Sequence, residues 1–415
     1  MPNRVEMISA LNYGTVKAGQ GNQVYLMLKL VGNNVEQEKR VPLNISFVVD
    51  RSGSMSGQKI TYTRQALGLC LNSLDSQDIQ SMVLFDDEVE VLMDSGPVVN
   101  KDLAKQLVKQ IMARGSTNLS GGLLKGAKMV ENNLANDKVN RVIMLTDGQA
   151  NQGIKDHKGL VKLATKIANM GIGLSCIGIG DDFQEDLLTD MAEAGRGNFY
   201  YIDNPDHIPK IFEQELNGLL QVVGQELQIE LDLGYKVQIP VVYGYQPAVK
   251  KDGLVFSLPD IYAGEEKIIM LQIDLPALDT GLHRVMSIRL RYLDAELQEE
   301  IDLIIPIDIQ VGEETEMLQE TANSEVENNL YLFRISEAQK RAIDLADQGD
   351  FEEAREMLSQ FFDDCPPIMD EAVSAAVNEL KGNYDFLQVS AYSRSARKDM
   401  QYSSYLTSKN RRRNQ

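Results

Sequence analysis

The sequence has little of what most zinc, redox and nucleic-acid sites are made of. Its three cysteines, Cys70, Cys176 and Cys365, lie far apart and lack the C-x-x-C spacing of zinc or redox sites. They predict free thiols in a reducing cytoplasm. The three histidines are widely separated and show no spacing that is typical of metal ligands. The formal net charge of −20 opposes nucleic-acid binding, because phosphate contacts need clustered Lys and Arg.

Long apolar runs are also absent. A membrane-spanning helix needs roughly 20 consecutive apolar residues, and the apolar stretches here are shorter and interrupted by Gly, Asp or Asn. The first residues, Met1 to Glu6, carry charges of both signs and no apolar segment typical of a secretory signal. The sequence therefore predicts no membrane segment and a cytoplasmic location.

Hydrophobic residues make up 43% of the 415 residues, enough for two or three domains. Between residues 41 and 219, strand-like runs alternate with amphipathic stretches, which predicts a doubly wound α/β domain. The predicted strands are Leu43 to Asp50, Ile79 to Phe85, Val89 to Met93, Arg141 to Thr146, Leu174 to Gly180 and Asn198 to Tyr201. The predicted helices are Gln58 to Leu74, Lys101 to Ile111, Gly121 to Asn133, Asp156 to Met170, Gln184 to Ala194 and Pro205 to Leu220.

The segments on either side of this domain are strand-like. Residues 220 to 312 alternate apolar and polar side chains between Gly, Pro and Asp turns, which predicts a β-sandwich. Residues 1 to 40 also contain strand-like runs, but these are too small to bury a face alone. We expect the N-terminal strands to join the sandwich, so that the α/β domain is inserted in it. A separate N-terminal hairpin would contradict this hypothesis.

Residues 313 to 388 change to a helical period. Apolar residues from Leu318 to Ala338 predict one helix, and a second is predicted to end at Gly349. The restart at Phe351 resembles the second helix of a tetratricopeptide-type hairpin. This region is either a helical cap on the sandwich or a peptide-binding module.

Residues 389 to 415 combine Ser and Tyr with Lys and Arg, which predicts a disordered basic tail. Such a tail is either a solvated chain end or a docking segment. In the second case phosphorylation would invert its charge. The sequence leaves both interpretations open.

Three separated motifs place oxygen-bearing side chains near the ends of predicted strands. Asp50, Ser52 and Ser54 form D-x-S-x-S after the first strand, Thr117 lies in a Gly-Ser-Thr-Asn loop, and Asp147 ends Leu-Thr-Asp. Ligands of open α/β sheets bind outside the carboxyl ends of strands. Hydroxyl and carboxylate oxygens suit a hard cation such as Mg²⁺, with Mn²⁺ or Ca²⁺ as alternatives. The alternative interpretation is that these side chains bind no metal and only cap helices and satisfy turns.

Together the three motifs resemble the complete metal-ion-dependent adhesion site of von Willebrand factor A domains, over residues 41 to 219. The resemblance implies the strand order 3-2-1-4-5-6 and a short antiparallel edge strand. It implies that Ser52 and Ser54 bind the metal directly, Thr117 directly or through water, and Asp50 and Asp147 largely through waters. A partner's Asp or Glu would complete the coordination. The whole layout is similar to bacterial and cyanobacterial chloride-channel-activator-like A-domain proteins.

Motifs of metal-dependent and nucleophilic enzymes are absent. Ser52 stands where a D-x-D-x-T phosphotransfer motif has its second Asp, and neither a G-x-x-x-x-G-K phosphate loop nor a G-x-S-x-G elbow occurs. The sequence predicts a module that is not an enzyme and binds a protein partner through a divalent cation. The alternative is a regulatory scaffold, or a substrate of a Ser/Thr kinase and phosphatase system, that acts through the tail.

Overall fold

The computed structural model describes residues 4–34, 40–148, 150–180, 184–202, 204–250, 253–313, 321–365, 370–385, 387 and 392–409. The chain begins with three strands, β1 (Val5–Leu11), β2 (Thr15–Lys17) and β3 (Asn22–Gly32). Strands β1 and β3 form an antiparallel pair. The other neighbour of β3 comes from a much later part of the chain, Glu266–Leu275.

An alternating α/β unit follows β3. Its strands are β4 (Leu43–Asp50), β5 (Ile79–Phe85), β6 (Val89–Pro97), β7 (Val139–Thr146), β8 (Gly173–Ile179) and β9 (Phe199–Ile202). Its helices are α1 (Gln58–Ser73), α2 (Lys101–Lys109), α3 (Leu119–Glu131), α4 (His157–Ala168), α5 (Glu185–Ala194) and α6 (Ile208–Leu220). The strands form one sheet in the order β6-β5-β4-β7-β8-β9; β5 and β6 pair antiparallel and the other neighbours pair in parallel. The α/β architecture predicted for this segment is confirmed.

Helices cover both faces of this sheet, because successive side chains of a strand point to opposite sides. On β4, Ile45, Phe47 and Val49 pack in one hydrophobic cluster with α1, α2 and α6. Val48 belongs to a second cluster with α3, α4 and α5. Burial on both faces explains why the parallel strands are nearly continuous apolar runs.

The strands after the α/β unit form two sheets together with β1 to β3. They are β10 (Val222–Leu233), β11 (Gln238–Tyr243), β12 (Ala248–Lys250), β13 (Gly253–Ser257), β14 (Ile261–Tyr262), β15 (Glu266–Leu275), β16 (Gly281–Asp294) and β17 (Glu300–Gly312). One sheet has the order β1-β3-β15-β11 and the other β12-β13-β10-β16-β17-β2, with β14 beside β10. One hydrophobic cluster contains residues of both sheets, such as Leu28 and Ile229. These two sheets are called the β unit below.

A buried arginine joins the α/β unit to the β unit. Arg141, on β7, is fully buried. Its Nη2 donates to Asp260 Oδ2 at 2.8 Å, and its Nη1 donates to the carbonyl of Arg196 at 3.0 Å. An arginine side chain is rarely buried unless it is paired. The contact with Asp260, which precedes β14, therefore stabilises the junction between the two units.

A second buried polar group holds α6 against the sheet. Glu215, on α6, is fully buried and accepts hydrogen bonds from the hydroxyl of Ser175, from Asn198 Nδ2 at 2.9 Å and from the Tyr200 hydroxyl at 2.8 Å. Asn198 Nδ2 also contacts the Tyr262 hydroxyl of β14 at 3.2 Å. The carboxylate of Glu215 thus ties α6 to β8 and β9 at the junction with the β unit.

The chain then becomes helical, with α7 (Ser324–Gln348), α8 (Phe351–Asp363) and α9 (Glu371–Tyr384). The two helices predicted before Gly349 are one continuous helix, so that part of the prediction was wrong; Leu318 lies outside the described residues. No Gly or Pro interrupts residues 324–348. Gly349 ends α7 with a φ of 91°, as predicted for a helix stop. Within the described residues, no helix is both long and apolar enough to cross a membrane.

The prediction of a disordered tail over residues 389–415 is wrong for its central part. Residues Arg394–Ser408 form a helix, α10, which packs between α7 and the α/β unit. Met400 is buried in a cluster with α7, α8 and α9, whereas Tyr405 and Leu406 are buried in the cluster that covers one face of the large sheet. The few apolar residues of α10 therefore serve two interfaces, and composition alone does not reveal this.

Opposite charges also hold α10 in place. Lys398 Nζ lies 3.1 Å from Glu185 Oε2, and Arg397 contacts the same carboxylate. Lys409 Nζ, just past the helix, lies 2.9 Å from Glu193 Oε1. Both acidic residues belong to α5. Three of the basic residues that suggested a solvated tail are thus paired with acidic residues of the α/β unit, and these ion pairs stabilise α10 in its position.

Tyr405 provides a test of this packing. Its hydroxyl accepts a hydrogen bond from the Phe199 N–H at 3.1 Å, and its ring meets the Phe199 ring edge-on at 5.7 Å. We expect Tyr405→Ala to destabilise the protein by about 3 kcal/mol through the lost ring. Tyr405→Phe, the matched control, should cost about 1 kcal/mol because it removes only the hydroxyl. Urea unfolding measures the stability and hydrogen exchange measures protection of β9. Unchanged stability and exchange in Tyr405→Ala would contradict the packing.

Candidate functional site

Two carboxylates lie together at one end of the large sheet. Asp50 is the last residue of β4, and Asp147 follows the last residue of β7. These strands are parallel neighbours, so both side chains lie at the same edge of the sheet. Both residues are fully buried. Two buried carboxylates so placed need hydrogen bonds or positive charge to be stable.

Local hydrogen bonds fix the Asp50 carboxylate. Its Oδ1 accepts from the Ser52 N–H at 2.8 Å, and its Oδ2 accepts from the Thr146 hydroxyl at 2.6 Å. The Thr146 oxygen accepts in turn from the Gly148 N–H at 2.8 Å. Burial and the charge of Asp147 raise the pKa of Asp50 to about 6, although its hydrogen bonds act in the opposite direction. A cation beside it would favour the charged form.

Hydroxyl groups line the same corner. Ser52 Oγ and Ser54 Oγ are 3.0 Å apart, at a short 3₁₀ turn, Gly53–Met55, that the buried Met55 anchors in the core. Ser52 is buried, whereas Ser54 is exposed. The corner is therefore open to solvent on the side of Ser54.

The Thr117 loop is tied to the serine loop through the backbone. Gly53 N donates to the Gly115 carbonyl at 3.1 Å, and Arg114 N donates to the Arg51 carbonyl at 2.7 Å. The Thr117 carbonyl accepts from two backbone N–H groups of the segment after Asp147, those of residues 151 and 152. Thr117 is itself buried. The structure thus brings the three loops together, with all five residues singled out in the sequence on them.

Ion pairs frame the loops from outside. Asp86 Oδ2 accepts from Arg51 Nε and from Arg114 Nε, each at 2.8 Å. Burial acts to raise the pKa of Asp86, but hydrogen bonds from Arg114 and Glu88 N and the charge of Arg51 outweigh it and lower that pKa. Gly115 has a φ of 67°, and a Cβ there would lie 1.8 Å from Asp87 Oδ1. This loop geometry therefore requires glycine at position 115.

The oxygen-bearing side chains of this corner are of types that bind metal ions. Asp147 Oδ1 is buried and has no hydrogen-bond partner among the described residues, while its Oδ2 accepts from Lys59 Nζ at 3.2 Å. The set contains two carboxylates and three hydroxyls, which are ligands of hard cations. Within the described residues no three His, Cys, Asp or Glu side chains form a metal cluster. A cation at this corner would thus depend on the hydroxyls as well.

Sequence reasoning missed two residues of this corner. The sequence pattern places Thr146 in a strand and Lys59 in a helix, but it does not indicate that Thr146 binds Asp50 or that Lys59 binds Asp147. Thr146 directly precedes Asp147, and this position next to a candidate ligand could have indicated its role. Lys59 lies in the first turn of α1, close behind the serine loop.

Thr146→Val tests the support of Asp50, because it keeps the shape of the side chain and removes the donor. A hydrogen bond to a buried carboxylate contributes about 2 kcal/mol, so we expect a loss of this size at pH 7. Thr146→Ser, which keeps the hydroxyl, should lose less. Urea unfolding in EDTA measures both. Equal stability of Thr146→Val and wild type would show that Asp50 does not depend on this bond.

Part of the chain matches a known protein family, and the chain is similar to several known proteins. Residues 44–214 match the family model of the von Willebrand factor type A domain. An uncharacterized Synechocystis sp. protein, sll0103, is 25% identical over 323 residues, which cover 74% of this chain and 76% of that protein. Inter-alpha-trypsin inhibitor heavy chain H1 of Sus scrofa is 31% identical over 201 residues. That match covers 46% of this chain and only 22% of the heavy chain.

Two solved structures share the overall fold. A von Willebrand factor type A protein of Catenulispora acidiphila gives a TM-score of 0.76 with 14% identity, over 98% of this chain and 97% of that one. The ArnB paralog VWA2 of Sulfolobus acidocaldarius gives a TM-score of 0.63 with 16% identity, over 98% of each chain. At these identities the likeness concerns the fold alone.

Proposed function

Residues 44–214 of this chain are a von Willebrand factor type A domain, and we propose that it binds a protein partner through a divalent cation. Domains of this family are commonly metal-dependent protein-interaction modules. The proposed metal site consists of Asp50, Ser52, Ser54, Thr117 and Asp147. The proposed cation is Mg²⁺, with Mn²⁺ or Ca²⁺ as alternatives.

One observation carries this proposal. The buried Asp147 Oδ1 has no hydrogen-bond partner among the described residues, although it lies at the same strand edge as the Asp50 carboxylate and the serine hydroxyls. An unpaired buried carboxylate oxygen is costly, and a cation or its bound water would satisfy it. If these residues only capped helices and satisfied turns, the missing hydrogen-bond partner of Asp147 Oδ1 would have no explanation.

The ligand types suggest what the cation would do. Ser52, Ser54 and Thr117 offer neutral hydroxyls, which leave much of the ionic charge uncompensated. We propose that an Asp or Glu of the partner completes the coordination on the open side, near the exposed Ser54. Such a charge-compensated contact in a partly dry site contributes to specificity.

We propose that the chain is not an enzyme. The sequence lacks the D-x-D-x-T and G-x-S-x-G motifs of metal-dependent and nucleophilic enzymes, and the Asp50 carboxylate accepts hydrogen bonds from the Ser52 N–H and the Thr146 hydroxyl. In the alternative function, a regulatory scaffold or kinase substrate acting through the tail, Ser393 and Ser395 are exposed, but the other candidate positions at residues 403–405 become accessible only if α10 leaves its site. Ser403, Ser404 and Tyr405 are all buried there. These contacts favour the metal-dependent module.

We further propose that the two sheets of the β unit form one sandwich, into which the A domain is inserted. The pairing of β3 with β15 along its length and the shared hydrophobic cluster support this arrangement. Helix α6 leads almost directly into β10. A shift of α6 on ligand binding would thus reach the β unit. The free thiols Cys70, Cys176 and Cys365 support a reducing, cytoplasmic location.

Thermal unfolding and calorimetry with Mg²⁺ or Mn²⁺ test the site. A cation at 100 times its dissociation constant stabilises the folded state by about 2.7 kcal/mol, so the melting temperature should rise over that in EDTA. Ser52→Ala should bind the cation at least about tenfold more weakly than wild type. Replacing a residue that only supports a metal ligand already costs roughly tenfold in affinity, and Ser52 is a proposed ligand. Ser73→Ala, at the other end of α1, is the matched control. Full metal affinity in Ser52→Ala would refute the assignment.

The partner contact has its own test. Proteins retained by the wild-type chain in Mg²⁺ should be released by EDTA and should not be retained by Ser52→Ala. A partner found in this way should lose binding when one of its exposed Asp or Glu residues is replaced by Asn or Gln. Retention that is the same with Mg²⁺ and with EDTA would contradict a role for the cation.

A further inference from the structure

A lysine already occupies one side of the proposed metal site. Lys59 lies in the first turn of α1, and its Nζ donates to Asp147 Oδ2 at 3.2 Å. The Lys59 side chain is only 16% exposed and the Asp147 side chain is fully buried, so water screens this contact weakly. Asp147 is thus engaged by a positive charge through one oxygen, while its other oxygen has no partner among the described residues.

The stem of Lys59 is held in place as well. It lies against Gly180, which directly follows β8 and has a φ of 76°. A Cβ at Gly180 would lie 2.5 Å from Lys59 Cε and 3.2 Å from its Cδ. Glycine at this position leaves room for the lysine stem on its way to Asp147. The ion pair is therefore built into the packing of α1 against the strand end.

We propose that Lys59 is a resident counter-ion that competes with the divalent cation for Asp147 and keeps metal affinity low until a partner carboxylate arrives. The inference rests on the proposed function. Without metal, the Lys59 ammonium offsets the repulsion between the buried Asp50 and Asp147 carboxylates. With metal, the same ammonium is a like charge close to a divalent ion. Like charges at short range in a weakly screened site repel strongly.

The consequence is coupling between metal and partner. A carboxylate brought by the partner adds negative charge to the site and offsets the repulsion that Lys59 causes. Metal and partner then bind more tightly together than either does alone, and the coupling is reciprocal. In this arrangement Lys59 sets the metal affinity by its charge and acts through Asp147. It is a positioning residue and not a metal ligand.

Lys59→Met tests the charge, because it keeps most of the stem and removes the ammonium. We expect it to bind Mn²⁺ on the order of tenfold more tightly than wild type in calorimetry. In EDTA we expect the same variant to unfold at a lower temperature, since the two carboxylates lose their counter-ion. Opposite signs for the two effects distinguish this role from simple packing, whose loss would weaken folding and metal binding together.

Two variants serve as controls. Lys59→Arg keeps the positive charge and should restore both wild-type values, or come close to them. Lys162→Met removes an exposed charge from α4, away from the site, and should change neither.

The outcomes separate the inference from the proposed function. Mn²⁺ binding by wild type with equal or weaker binding by a folded Lys59→Met variant would overturn the role of Lys59 and leave the metal site standing. Detectable binding by Lys59→Met alone would support the inference. No binding by either protein at millimolar Mn²⁺ would overturn the proposed metal site, and the inference with it.

Discussion

The carboxylates of Asp50 and Asp147 are held out of solvent at the ends of two adjacent parallel strands, and the negative charge of Asp147 raises the cost of charging Asp50. The contacts around them offset this repulsion. The Thr146 hydroxyl and the Ser52 N–H bind Asp50, and the Lys59 ammonium binds Asp147. One buried oxygen of Asp147 still lacks a partner among the described residues. The proposed cation would supply the missing positive charge at this corner.

The rest of the chain holds that corner in a fixed setting. Residues from three loops reach it, and Asp86 with two arginines ties two of these loops together. At the opposite end of the strands, Arg141 anchors the sheet to the β unit, and Glu215 anchors α6 to β8 and β9. Helix α10 closes over α5 and β9 through ion pairs and aromatic contacts. A displacement of α6 relative to β8 and β9 would stretch the hydrogen bonds of Glu215, so such a shift has an energetic cost.

The sequence predicted the α/β domain well because its signals are local. Strands that are buried on both faces appear in the sequence as apolar runs. Two of the proposed site residues mark where such runs end, Asp50 as the last residue of β4 and Asp147 directly after β7. Thr146 and Lys59 were missed because their roles depend on which oxygen lies nearby, and spacing along the chain does not encode this. Residues 394–408 were misjudged for a related reason. Their few apolar side chains and many basic ones are typical of a solvated tail, and their partners, such as Glu185 and Phe199, are about 200 residues away in sequence.

The position of a bound cation is the most direct test of the proposed metal site. Crystals grown with Mn²⁺ and measured near its absorption edge would locate the ion by anomalous scattering. The proposed site predicts one strong peak between the Asp50 and Asp147 carboxylates, next to the Ser52 and Ser54 hydroxyls. Lys59 is then either turned away from the ion or still paired with Asp147 Oδ2. A well-ordered corner without such a peak, or a peak only at other carboxylates, would contradict the proposed site.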